Sequence, residues 1–264
     1  MPLRDEVHAI LFGLLDIVNI AHPAFIILGS FIAYIANETL GADPILTTIV
    51  LAPAFFVLGA GAVIMNAQTG GEVGLLRIAL AHGLALAALG TAFAPISGGQ
   101  FNPAVTVALW LIGKVRTIEG LRFIAAQLIG ATLAGLTLKL AFLGVQSPSV
   151  YDYALGGSPA LGAGLDALQG IVVEAILTAL LVYAVLMTAV DARAPKMGGL
   201  FIGLAVTADI IVGGPLTGAA MNPARWFGPA VVYGDLSQAV VYIAGPLIGA
   251  TLAALSVRYL FAQR

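Results

Sequence analysis

An all-α membrane fold follows from three features of the sequence. It has two inverted halves, each with three spans and one half-length re-entrant helix, and an extra hydrophobic segment at the N-terminus. First, the chain is 60% hydrophobic and only 9% charged over 264 residues. Second, it carries several stretches of spanning length. Third, a ten-residue block recurs 120 residues later, followed by a second recurring block in the same order.

A soluble domain is about a quarter charged. A chain this apolar cannot build a solvated surface that covers it, so a lipid bilayer is its expected solvent. A net charge of −2 excludes a strongly basic nucleic-acid binder. The absence of cysteine removes disulfides and thiolate metal sites. Residues 1–8 carry one Arg and two acids, the wrong charge for a signal peptide, and the apolar stretch that follows is too long for one. This end is therefore read as retained.

A spanning helix needs roughly 20 apolar residues. Seven stretches qualify, at 9–36, 45–66, 73–94, 120–143, 168–190, 197–213 and 238–261. Two pieces, 103–113 and 223–233, are half that length and reach halfway across the bilayer. Lys114, Arg116 and Arg122, then Arg193 and Lys196, then Arg258 and Arg264 flank alternate gaps. Segment 144–167 carries Asp152 and Asp166 but no Lys or Arg. The positive-inside rule puts the cationic gaps in the cytoplasm and 144–167 outside. The expected setting is a multi-pass protein of the cell membrane, taken as a bacterial inner membrane.

The repeat orders these pieces. Residues 95–104 read Pro-Ile-Ser-Gly-Gly-Gln-Phe-Asn-Pro-Ala and 215–224 read Pro-Leu-Thr-Gly-Ala-Ala-Met-Asn-Pro-Ala. Leu-Ile-Gly-Ala-Thr-Leu-Ala stands at 128–134 and again at 247–253. Each half has an odd number of spans, so the second copy is upside down, and such repeats place their working site at the bilayer midplane. Each half-length piece opens with Asn-Pro-Ala, where Pro suits the first helical turn. Asn102, Pro103 and Ala104 then meet Asn222, Pro223 and Ala224 near the membrane centre, at the positive ends of two half-helix dipoles. Non-helical backbone at that depth is tolerated only in protein or beside water. The preceding loops are therefore expected to line a pore with their carbonyls.

The loops Ser97–Thr106 and Met221–Ala230 closely resemble the two signature loops of the major intrinsic proteins, the aquaporins, and the resemblance covers 48–264. It implies a homotetramer with one pore per protomer, no cofactor and no enzymatic activity. It also implies passive passage of water and of small neutral solutes, ammonia and hydrogen peroxide included, with protons and ions excluded. The filter is implied to be His82, Ile210, Ala219 and Arg225, a set resembling the tonoplast-type members. Trp226 replaces the Asp usual in glycerol facilitators. Glu174, with Thr178 one turn later, is implied to support the second pore loop. As bare residues these allow other readings. Arg225 can snorkel to headgroups, His82 can bond a neighbouring carbonyl, and Ile210 and Ala219 can simply pack. Asp209 stands between a loop-bracing role and a lumen contact, and Lys139 reads as snorkelling at the outer surface.

Two departures stand out. No acid occurs from Pro44 to Gly71, where a counterpart of Glu174 is expected, so loop 97–101 is expected to lack its usual brace. Residues 1–47 form a separate hydrophobic segment, and positions 11–34 resemble the N-terminal part of a branched-chain amino-acid ABC permease. Its polar stripe of Asp16, Asn19 and His22 invites a functional reading, but helix packing or a bystander role is favoured over it. Two alternatives to a channel follow: an ABC permease subunit, or a nonconducting scaffold disabled at its first span. No nucleophile, metal or phosphate motif stands in a context that fits an enzyme.

Overall fold

The computed structural model describes residues 43–144, 149–194 and 197–261. The first apolar stretch, the permease-like positions and the polar stripe lie outside the described residues, as does all of 1–47 except its end. The remaining six stretches form α1 (Pro44–Gln68), α2 (Gly74–Ser97), α4 (Thr117–Ala141), α5 (Ala167–Val185), α6 (Gly198–Thr217) and α8 (Ala239–Ser256). These six are long and apolar enough to cross a bilayer. The half-length pieces are α3 (Pro103–Leu111) and α7 (Pro223–Tyr233).

Local chemistry sets the ends of these helices. Asp43 caps α1 by accepting from the Ile45 and Leu46 amides, with Pro44 at the first position. Spans α2 and α6 stop at Gly98 and Gly218, whose φ values of 75° and 73° suit a residue without Cβ. These two glycines are also 120 residues apart, so the repeat extends to the backbone turn that opens each pore loop.

Close crossings of small residues hold the bundle together. A Cβ on Gly83 of α2 would lie 2.4 Å from the Gly203 carbonyl oxygen of α6, and one on Gly203 would lie 2.3 Å from that of Gly83. Each glycine is the repeat partner of the other, so the two halves meet at equivalent points. The repeated heptapeptide has a matching use. Gly130 packs on Ala52 of α1, where a Cβ would come within 2.7 Å, and Gly249 packs on Ala175 of α5 at 2.0 Å. The third span of each half thus seats on the first span through the same glycine. Close approach of this kind is how membrane helices gain packing without a hydrophobic drive. Leu46, Val50, Leu84, Leu136, Leu180 and Leu252 remain exposed on the outside, an apolar coat suited to lipid.

Candidate functional site: a pore through the two Asn-Pro-Ala loops

A cavity of about 410 Å³ lies within the bundle between the two halves. His82, Asn102, Ile210, Ala219, Asn222 and Arg225 all border it, together with the loop residues Gly98 to Phe101, Ala220 and Met221. At its far end it reaches Lys114, Val115, Ala189 and Gly199. The two re-entrant loops are therefore wall, as expected from their non-helical backbone at membrane depth.

The asparagines are fixed from both sides. Asn102 Oδ1 accepts from the Ala104 amide at 2.9 Å, and Asn222 Oδ1 accepts from Ala224 at 3.0 Å and Arg225 at 3.3 Å. Each is thus the N-cap of its half-helix, with Pro103 or Pro223 at the first position. The two amides then exchange bonds across the midplane. Asn102 Nδ2 donates to the Met221 carbonyl at 2.8 Å, and Asn222 Nδ2 to the Phe101 carbonyl at 2.9 Å. With the oxygen used by the cap, only Nδ2 can present a donor to the lumen, and one of its two N–H groups remains for that. Ala104 and Ala224 are fully buried beneath their caps.

The four residues expected to form a filter all border this cavity, and two of them bond each other. Arg225 Nε donates to His82 Nε2 at 3.1 Å, and Arg225 Nη1 donates to the Gly157 carbonyl at 2.9 Å. The other ring nitrogen, His82 Nδ1, lies 2.9 Å from the Ile78 carbonyl. A carbonyl only accepts, so Nδ1 carries the proton, and Nε2 is left as the acceptor for Arg225. His82 thus bonds a helix carbonyl and also borders the cavity. Arg225 is 4% exposed and turns inward to the cavity, not outward to headgroups. Ile210 and Ala219 border the same cavity as apolar wall. Ala219 and Met221 have φ of 46° and 52°, left-handed values that cost non-glycine residues energy and are found where a site imposes them.

Glu174 explains how that backbone is held. Its Oε1 accepts from Thr217 Oγ1 at 2.6 Å and from the Ala220 amide at 2.9 Å, and its Oε2 accepts from the Met221 amide at 2.7 Å. A fully buried carboxylate needs such partners. Thr178 takes no part in this bracing, because its buried hydroxyl has no partner among the described residues. Thr217, from the loop's own approach, takes the place expected for it. Asp209 neither borders the cavity nor braces a loop, and its Oδ2 is buried without a partner among the described residues.

The first loop has a brace of different chemistry. Gln127 of α4 donates through Nε2 to the Gln100 carbonyl and to Thr106 Oγ1, both at 2.9 Å, and Thr106 donates to Gln100 Oε1 at 3.0 Å. Sequence reasoning missed Gln127, although an amide in the middle of an apolar span was a visible signal. The expected gap also leaves its mark. Ser97, the repeat partner of Thr217, has a buried hydroxyl with no acceptor among the described residues, where Thr217 has Glu174. Gly157 was missed too, because it contributes only a backbone carbonyl.

The family model for major intrinsic proteins matches residues 41–257. Aquaporin TIP4-4 of Zea mays is 43% identical over 218 residues, covering 80% of this chain and 83% of that protein. Probable aquaporin TIP3-2 of Arabidopsis thaliana is 44% identical over 190 residues, covering 71% and 68%. The aquaglyceroporin of Plasmodium falciparum superposes with a TM-score of 0.73 at 22% identity, over 83% of this chain and 96% of that one, a likeness of fold alone. The Zea mays and Arabidopsis thaliana relatives are plant aquaporins of the TIP type, so the expected bacterial inner membrane finds no support. The permease alternative gives way to a family match across the whole described bundle. The chain belongs to the major intrinsic protein family, the aquaporins, and is a multi-pass membrane protein forming a passive channel for water.

Proposed function

We propose that this channel conducts ammonia and hydrogen peroxide as well as water, excludes protons and ions, and works as a homotetramer with one pore per protomer. The observation that carries the solute reading is the filter ring. One cation is tied to a neutral imidazole, and the other two positions implied for the filter, Ile210 and Ala219, border the same cavity as apolar residues. Such a ring offers donors to a small polar molecule at Arg225 and leaves the rest of its circumference apolar, which favours small neutral solutes that hydrogen-bond once or twice. Glycerol is disfavoured because Trp226 follows Arg225, where the resemblance to glycerol facilitators would put Asp. The conducting unit is assigned to 48–264, with 1–47 appended to it. The Gln127 brace speaks for a working first loop and against the nonconducting scaffold.

The test is stopped-flow shrinkage of proteoliposomes holding the full chain, with no ATP, alongside ammonia-driven alkalinisation and peroxide entry read by trapped dyes. Permeability above empty liposomes for all three solutes, and none for glycerol, is expected. Water permeability alone overturns the solute reading, and no permeability with inserted protein returns the scaffold.

A further inference from the structure

Arg225 is held by two acceptors, and both acceptors rest on one turn of α1 that borders no part of the cavity. We propose that Gly59 of α1 is a specificity-determining positioning residue, whose missing side chain seats the His82 ring and through it fixes Arg225 across the filter. The proposal rests on the reading of His82 and Arg225 as filter residues.

The geometry is close and specific. A Cβ at Gly59 would lie 2.5 Å from His82 Cδ2, 2.6 Å from Nε2 and 3.2 Å from Cγ. Carbon atoms in contact sit about 3.5–4.0 Å apart, so any side chain there must displace the ring. Among the atoms pressed hardest is Nε2, the one that accepts from Arg225. Retreat along α2 is blocked, because Nδ1 is tied to the Ile78 carbonyl. A methyl at Gly59 therefore moves Nε2 off Arg225 or drives the ring into the lumen, and either changes what passes.

The next residue carries the second anchor. Gly157, whose carbonyl holds Arg225 Nη1, lies so near Ala60 that a Cβ on it would come 2.7 Å from the Ala60 carbonyl oxygen and 2.9 Å from the Ala60 Cβ. The loop that supplies one acceptor and the helix that supplies the other thus take their register from Gly59 and Ala60.

Ordinary helix packing does not account for Gly59. Gly83, Gly228 and Gly249, which bring helices together, meet backbone or small side chains of the facing helix. At Gly59 the three nearest atoms all belong to the filter imidazole. Gly61, two residues on, meets only Leu138 Cδ2, at 3.5 Å, and serves as a control on the same helix.

The experiment compares peroxide and water permeabilities of the full chain in proteoliposomes for Gly59→Ala, Gly61→Ala, His82→Ala and the double variant Gly59→Ala/His82→Ala. Gly59→Ala is expected to change the peroxide-to-water ratio by about fivefold, the scale of coupling between contacting residues. Gly61→Ala is expected to keep the parent ratio, and in the His82→Ala background Gly59→Ala is expected to have no further effect. If Gly59→Ala alone does not yield folded protein, recovery of folded protein in the double variant supports the seat. An equal effect with and without His82, a proportional fall in both permeabilities, or a folding defect that His82→Ala leaves in place overturns it. His82→Ala by itself tests the underlying filter: an unchanged ratio there removes both readings, whereas a changed ratio with additive Gly59→Ala removes the seat alone.

Discussion

Glu174 and Thr178 sit one turn apart on α5, both fully buried, and their hydrogen bonding separates them. Glu174→Ala strands the Thr217 hydroxyl and two loop amides, each left without an acceptor at about 1–3 kcal/mol. Lower thermal stability in detergent and loss of water flux are expected together, since Ala219 and Met221 keep their left-handed backbone only while the loop is held. Thr178→Val removes a buried hydroxyl that bonds nothing among the described residues, so unchanged or slightly raised stability is expected, by up to about 1 kcal/mol. A large loss there would show that Thr178 has a partner after all. For the filter, Arg225→Ala removes the donors that span between His82 and Gly157. Entry of urea or glycerol in a swelling assay is the expected result, and unchanged selectivity would sink the assignment. His82→Phe takes away the acceptor for Arg225 and adds bulk, so ammonia and peroxide flux should fall more than water flux.

The half-helices are the elements that position the two asparagines, and their starts and lengths were legible while the residues that hold their far ends were not. Asn-Pro-Ala announces a cap and a first turn, because that chemistry is local. The C-terminal ends are held by residues far away in sequence. Arg258 Nη1 donates to the Leu111 carbonyl at the end of α3, at 2.7 Å, and Lys139 Nζ to the Val232 carbonyl near the end of α7, at 3.4 Å. Lys139 and Arg258 are 119 residues apart, the offset of the repeated heptapeptides, so the inverted repeat supplies each half-helix with a cation from the opposite half. Lys139, read from sequence as merely snorkelling, thus has a definite acceptor at a negative dipole end. Lys139→Met and Arg258→Met are each expected to lower stability by about 0.3–1 kcal/mol. Their effects should add, since the two caps share no partner, and thermal unfolding of the single and double variants in detergent checks both. Much of the remaining geometry was hidden for the same reason. Gly59, Gly157 and the Gly83–Gly203 crossing act by what they lack, and a missing side chain shows its purpose only once its neighbour is placed.

At the scale of the whole molecule, duplication gives one feature that neither half has alone: two positive helix ends facing each other at mid-membrane. Each half contributes one asparagine whose amide oxygen is spent on its cap and whose Nδ2 bonds the other half's loop carbonyl. The centre of the cavity is therefore rich in donors. A cation arriving there meets two dipole ends and, among the described lining residues, no carboxylate, with Arg225 further along. Asn222→Asp reverses the local sign. The carboxylate still caps the Ala224 and Arg225 amides, so the half-helix should form. It has no N–H to give the Phe101 carbonyl, and it places a negative charge where Nδ2 now stands. The cost to cations at the centre then falls while water still finds a wet path. Under a potassium diffusion potential, liposomes with the parent protein should leak protons no faster than empty ones, and those with Asn222→Asp should leak measurably faster at undiminished water flux. Asn102→Asp should do the same by the equivalence of the halves, with a milder penalty to folding if Gln127, Thr106 and Gln100 hold the first loop independently of its asparagine. Equal tightness in all three proteins would place the barrier to protons at Arg225 and not at the midplane.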